Sequence, residues 1–195
     1  ALADELDIVL IFDETVTGFR HALGGGQERF GVIPDLACYG KSLGGGLPLA
    51  AVAGRHDIMA LCDPRVKGTD PRAVFFSGTG FGNPVACAAG LAMLGVLKRP
   101  GMYEPFFDRV ERLKSGLREI IERRGVVAQV IGEGPVWHLV FTDRPIHDYR
   151  SSLAADRDRL LKLHLGLIDA GIFVRPGGGH YFSMAHTDSA VDATL

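Results

Sequence analysis

Three places in this sequence hold residue types that could do chemistry together. The first is Asp13, which follows the unbroken apolar run 8–12 in the segment DIVLIFDE. A carboxylate there stands where a parallel strand leaves its sheet, the place where open α/β sheets put their ligands, and it calls for a cationic partner. A helix cap or an ion pair with Arg20 would occupy the same residue without any chemistry. The second is Lys41, which follows LACYG and precedes Ser42 and the glycines Gly44, Gly45 and Gly46. A lysine emerging from a buried strand is expected to be desolvated, which lowers an amine's pKa and makes it a nucleophile toward carbonyls. The glycines let the backbone turn tightly beside a bound group. A solvated lysine on a glycine loop, or a phosphate-binding lysine, is the plainer alternative. The order Gly-x-x-x-x-Gly-Lys-Ser/Thr is only half met, because Asp35 stands where its first glycine would be. The third is SGTGFGNP, residues 77–84, which sets Thr79 just before a helix opening at Asn83 and Pro84. Such an N-terminus suits an anion such as phosphate, although a plain capping loop reads similarly.

An acid, a lysine and a phosphate-favouring turn are together the protein's parts for pyridoxal 5′-phosphate. The lysine takes the aldehyde, the acid holds the pyridine nitrogen, and hydroxyl and backbone donors hold the phosphate.

The elements that must position these residues follow from the hydrophobic pattern. Residues 7–12, 36–39 and 49–55 read as strands of the fully buried kind. The helix expected over 83–98 is so apolar all round that it needs cover on most sides. Buried strands with apolar helices make an α/β core. Beyond a boundary near 100–104 the texture changes. A long amphipathic helix is expected over 104–124, with Phe106, Phe107, Val110, Leu113, Leu117, Ile120 and Ile121 inward. Strands follow at 126–132 and 135–141, then a helix over 152–170 with Leu153, Leu160, Leu161, Leu163, Leu167 and Ile168 inward, and a strand GIFVR from Gly171. Residues 1–102 are therefore read as part of one domain and 103–195 as a smaller α+β domain. Thr187 or Asp188 caps a last helix of under two turns. The chain opens without methionine close to a central strand and stops soon after that cap, so a piece of a larger protein is expected.

Composition narrows the function classes. The chain has 195 residues, 47% hydrophobic and 23% charged, with a net charge of −2, which argues against disorder and polybasic nucleic-acid binding. The 26 glycines cluster rather than repeat, as in loops that approach something closely. Cys38, Cys62 and Cys87 form neither a disulfide framework nor a zinc motif, so a reduced, cytoplasmic setting is expected. The uncharged stretch 73–97 is broken by Gly78, Gly80, Gly82, Asn83 and Pro84, leaving too little to span a membrane. No basic segment followed by an apolar one opens the residues given, so no signal peptide is expected in them.

The segments IFDETVTGFR, FGVIPDLACYGKSLGGGLPLAAVAGR and SGTGFGNPVACAAGLAML resemble the class III pyridoxal-phosphate aminotransferases, and within them most closely the glutamate-1-semialdehyde aminomutases. The resemblance covers nearly the whole chain. It implies the α/β architecture of the fold type I pyridoxal-phosphate transferases, here part of a large domain with a mixed, mostly parallel sheet, plus a C-terminal α+β domain. It implies that Lys41 forms a Schiff base with pyridoxal 5′-phosphate and shuttles the proton of the substrate α-carbon, and that Asp13 keeps the pyridine nitrogen protonated. The threonine matching Thr79 binds the cofactor phosphate of the neighbouring subunit, which implies a homodimer. Substrates are an amine or amino acid and a carbonyl compound, with no nucleic-acid or membrane partner.

Two positions depart from the family pattern. Thr15 stands where a valine usually packs on the cofactor ring, so altered tuning with retained cofactor binding is expected. The stretch RPGGGHYFSMAH, 175–186, places glycines where the aminomutases carry a loop glutamate. His180 and His186 in that stretch read better as loop or surface residues than as substrate contacts. The leading reading is intermolecular amino transfer. The alternatives are the intramolecular aminomutase reaction and a catalytically incomplete fragment that only dimerises or packs with a partner. A nucleotide-binding domain is weakened by the absent Walker and Gly-x-Gly-x-x-Gly patterns.

Overall fold

A computed structural model describes residues 2–195. The chain divides into two compact units, one ending at Met102 and the other spanning Tyr103–Leu195.

In the first unit, α1 (Leu2–Glu5) leads to β1 (Ile11–Asp13), α2 (Gly25–Phe30) and β2 (Leu36–Tyr39). A single 3-10 turn, Lys41–Gly44, connects to β3 (Ala51–Gly54), α3 (His56–Met59) and α4 (Pro84–Leu97). The sheet order is β1-β2-β3. β1 and β2 run parallel with Asp13 opposite Cys38, and β3 is antiparallel to β2 with Ala51 opposite Tyr39. Asp35 ties the far end of this sheet, accepting from the Leu10 backbone N–H at 2.8 Å and from the Arg55 guanidinium at 2.8 Å. That ion pair and the Leu10 hydrogen bond hold the Asp35 carboxyl below its ordinary pKa.

The strand expected over 7–12 is shorter and more exposed than its composition implies. Only residues 11–13 pair, and Ile11 is 56% exposed along with Ile8 and Val9. β1 is an outer strand, and among the described residues β2 is its one ladder partner. The helix expected over 83–98 forms as α4, with Asn83 Oδ1 accepting from the Val85 and Ala86 N–H groups and Pro84 in the first turn, a well-formed start. It is covered on one side rather than on most. Ala86 and Gly90 are buried, while Val85 and Leu91 face outward, Leu91 at 72% exposure. The covered side lies on the Lys41–Gly44 turn: a Cβ on Gly90 would come within 2.7 Å of Leu49 Cδ2 and 3.0 Å of the Leu43 carbonyl oxygen.

The second unit is built on α5 (Glu104–Arg123), β4 (Gln129–Ile131), β5 (Val136–Val140), α6 (Tyr149–Ser152), α7 (Arg157–Asp169), β6 (His180–Tyr181) and α8 (Asp188–Thr194). Its sheet is antiparallel in the order β4-β5-β6. The expected inward face of α5 is realised: Phe106, Val110 and Leu113 are buried in one cluster with Trp137, Leu139, Phe182 and Val191. Each such side chain contributes on the order of 1.5–3 kcal/mol by leaving water. The short α8 is docked rather than frayed. Thr187 caps it, Arg112 of α5 pairs with Asp188 and Asp192, and Gly116 leaves room for Leu195.

Two expectations fail here. The helix expected over 152–170 forms only as α7: Ser152 ends the separate α6, which Asp148 caps in a reciprocal box with Ser151, and Asp156 starts α7 by accepting from the Arg159 N–H at 2.8 Å. Its inner residues are Leu160, His164, Leu167 and Ile168, whereas Leu153, Leu161 and Leu163 are exposed. The segment 171–175 is no strand. Gly171, at φ +85°, ends α7, and Phe173 beyond it is 90% exposed.

The packing of α4 on the lysine turn gives a direct test. Gly90→Ala should cost about 1–3 kcal/mol, since the new methyl meets a backbone oxygen as well as Leu49. Gly95→Ala, where nothing lies within 4 Å, should be neutral or gain up to about 1 kcal/mol from helix propensity. Urea midpoints read by circular dichroism separate the two.

Candidate active site

Asp13 and Lys41 come to one edge because β1 and β2 are parallel and adjacent. Asp13 is the last residue of β1, and Lys41 lies two residues past the end of β2. The Asp13 carboxylate accepts from the Thr15 backbone N–H at 2.9 Å. The Thr15 side chain and then that N–H draw its pKa below the ordinary carboxylate value, against desolvation, with the charge of Lys41 adding least. Asp13 is therefore an anion throughout the neutral range. Thr15 turns its methyl toward Gly40, where an added Cβ would lie 3.3 Å from Thr15 Cγ2.

Lys41 is held in an unusual backbone conformation, φ +45°, at the start of the 3-10 turn. Such a conformation strains a non-glycine residue and marks a position fixed by its surroundings. Those surroundings are visible. Leu43 N–H donates to the Gly40 carbonyl, Ser42 Oγ donates to the Gly18 carbonyl at 3.2 Å, and Gly45 lies against Ala89 of α4. The side chain itself is exposed, so the desolvated amine expected from the sequence is not found in this chain. The premise failed because the residues after β2 leave the sheet at its open edge. Gly44 and Gly45 also differ from expectation: they seat the turn on Leu49 and Ala89 of the same chain, leaving Gly46, with nothing within 4 Å, as the open one.

Thr79 lies on a separate segment, in the exposed turn closed by the Phe81 N–H on the Gly78 carbonyl. A Cβ added at Gly78, Gly80 or Gly82 would meet nothing within 4 Å, while the Phe81 ring of this loop meets Phe76 edge-on at 4.9 Å, ahead of the α4 N-terminus. The structure thus joins Asp13, Thr15 and Lys41 and keeps Thr79 on its own.

Glu14 is the residue that the sequence reading passed over. It is 1% exposed, and its carboxylate accepts from the Thr17 hydroxyl and from the Gly26 and Gln27 backbone N–H groups, the latter two at 2.9 Å each. A buried carboxylate persists only when so satisfied. Gly25, at φ +71°, has room for no side chain beside it. Gln27 in turn hydrogen-bonds the Tyr39 hydroxyl at 2.5 Å, and Gly18 packs within 2.9 Å of the Tyr39 ring at its would-be Cβ. Burial raises the Tyr39 pKa, so the phenol stays neutral. This network pins the segment after Asp13 against the end of β2. The signal for it was the pairing of a second acidic residue with the triplet Gly24, Gly25 and Gly26.

The Aminotransferase class-III family profile matches residues 1–187. Glutamate-1-semialdehyde 2,1-aminomutase of Roseiflexus castenholzii is 37% identical over all of this chain and 44% of its own length. An omega-transaminase from Sphaerobacter thermophilus superposes with a TM-score of 0.89 at 34% identity, over 98% of this chain and 43% of that one. A transaminase solved with PLP bound superposes at 0.83 with 25% identity, over 98% and 43%. The chain spans less than half the length of these relatives, and its architecture is that of their fold type I transferases. With an acid and a lysine at one edge of a sheet of that fold, this chain belongs to the class III aminotransferase family.

Proposed function

We propose that this chain carries the lysine-bearing part of a pyridoxal-phosphate-dependent aminotransferase, which moves an amino group from an amine or amino acid to a carbonyl compound. The observation that carries the proposal is the meeting of anionic Asp13 and the Lys41 amine at the carboxyl edge of two adjacent parallel strands. The donor set fits the cofactor: an acid kept ionised for a protonated ring nitrogen, a primary amine for an aldehyde, a β-branched methyl at Thr15, and a hydroxyl at Thr79 ahead of a capped helix N-terminus for phosphate. When bound, pyridoxal phosphate supplies an aldehyde that holds the migrating nitrogen and a ring that spreads the charge left at the substrate α-carbon. Asp13 would hold the proton on the ring nitrogen, and Lys41 would hold the aldehyde and serve as general base for the proton of the substrate α-carbon.

The chain is proposed to work within a longer polypeptide, with 1–102 as part of the cofactor domain and 103–195 as the smaller domain. It is proposed to form a homodimer in which Thr79 serves the partner's cofactor phosphate. The open stance of the 78–82 loop and the exposed Ile8, Ile11 and Leu91 support these readings. The three free cysteines support a reducing, cytoplasmic setting. No described helix is long and apolar enough to cross a membrane.

A second reading is intramolecular transfer, which the identity to the Roseiflexus aminomutase favours. The glycines of the 175–179 loop, standing where aminomutases carry a glutamate, favour the first. Product analysis of the full-length protein separates them: amino transfer that requires a separate keto acid supports the aminotransferase, and isomerisation without one supports the mutase.

Lys41→Ala should lower turnover by at least about 100-fold in either case, the usual worth of a positioned general base. Asp13→Asn should lower it on a similar order, and its acid limb should disappear. In the wild type that limb should lie at or below the ordinary carboxylate range, because the Asp13 pKa is depressed and the anion is lost only as pH falls through it. Steady-state rates against pH check both.

A further inference from the structure

A cluster of rings in the second unit contains none of the residues assigned above to amino transfer. His164 on α7 is fully buried, and its Nδ1 accepts from the Gly177 backbone N–H at 3.0 Å. Accepting there requires a bare Nδ1 and places the ring proton on Nε2. That Nε2 has no hydrogen-bond partner among the described residues, nor have His180 Nδ1 and Trp137 Nε1. His180 of β6 meets His164 edge-on at 5.0 Å and stacks on Trp137 of β5 at 4.1 Å. His138, also on β5, lies against Gly179, whose Cβ would come within 2.5 Å of its ring. The Arg175 side chain packs on Gly178, and the Gly178 N–H donates to the Arg175 carbonyl at 3.1 Å. The loop 175–179 is thus held between α7, β5 and β6, with the Gly177 to His164 hydrogen bond at its tip.

We propose that His164 is a proton-sensitive latch on the 175–179 glycine loop, closed while the imidazole is neutral and released when Nδ1 takes a proton. Protonation turns the acceptor of the Gly177 N–H into a donor. Two donors then face each other in a buried site, at the cost of the hydrogen bond and of an unpaired charge. The groups facing the ring are His180 from β6, with His138 of β5 behind it, and the Arg175 carbonyl from the loop. The Arg175 carbonyl favours a charge on His164. Burial foremost lowers the His164 pKa, and burial with His164 and His138 pushes His180 down to about 4. The sign follows. Closed-state pKa values below the open-state value mean that closure is fully favoured above the ordinary histidine range, about 6.5, and weakens as pH falls below it.

The sequence contains one tryptophan, Trp137, so its fluorescence reports on the cluster without labelling. In the intact chain, the Gly177 amide signal in ¹H–¹⁵N spectra and the Trp137 emission should change reversibly between about pH 6.5 and 4, with far-ultraviolet circular dichroism unchanged. His164→Asn offers an oxygen acceptor near Nδ1 that does not titrate, and should remove the Gly177 transition. His180→Gln should keep the Gly177 transition and diminish the fluorescence change. The proposal is overturned if Gly177 is unmoved until the chain unfolds, or if His164→Asn shows the wild-type transition. Should that variant fail to fold, ring ¹⁵N shifts of wild-type His164 decide: protonation of Nδ1 in step with the Gly177 change supports the latch, and a ring that stays neutral while Gly177 moves overturns it.

Discussion

Parallel pairing of β1 with β2 is the constraint on which the candidate site depends. Two adjacent strands that run the same way end at the same edge, so the acid that closes one and the lysine that follows the other are neighbours despite the 27 residues between 13 and 41. With Asp13 opposite Cys38, the acid stands beside the stretch that turns into Lys41. β3 returns antiparallel, which brings its entry, with Leu49 just before it, back to the same edge, where Leu49 packs against Gly44 and Gly90. An antiparallel β1–β2 pair would have placed the two charges at opposite ends of the sheet.

Parallel strands fix the edge but not the loops that leave it. Here the loops are fixed by close contacts that glycine permits and by one buried carboxyl group. Glu14 gathers a hydroxyl and two backbone N–H groups and so ties the segment after Asp13 to the start of α2. Gly18 lets that segment lie against Tyr39, while Gly45 and Gly90 let the lysine turn lie against α4. The positive φ of Lys41 is the local cost of this arrangement, held in place by the hydrogen bonds on either side. Rigid support around an exposed amine is what a group that must bond reversibly to a ligand requires.

Much of this was legible in the sequence, for reasons that differ by element. β2 was read over 36–39 and α5 over 104–124 nearly as they stand, because a short apolar run before a glycine and a three-four apolar repeat are each a direct mark of burial. Asp13 and Lys41 were legible because strand ends announce themselves by the first polar residues after an apolar run, and Thr15 only through the family resemblance. The misreadings share one cause, that composition reports what a residue prefers and not what is there to meet it. The apolar residues of β1 and α4 are exposed, Lys41 is solvated, and Phe173 finds no sheet. The late start of α7 was written in Asp156, a capping residue hidden inside a leucine repeat. Glu14 and His164 were missed because a single polar residue within an apolar or acidic context gives no sign of the donors that the fold will bring to it.

The central claim is that the edge formed by β1 and β2 presents Lys41 as the amine for an aldehyde cofactor. Incubation of the chain with pyridoxal 5′-phosphate, borohydride reduction and peptide mass mapping tests it most directly, with Lys41→Ala as control. The account predicts one dominant modified lysine, Lys41, with labelling weakened in Asp13→Ala. Labelling spread over the chain's lysines in proportion to their exposure would contradict it.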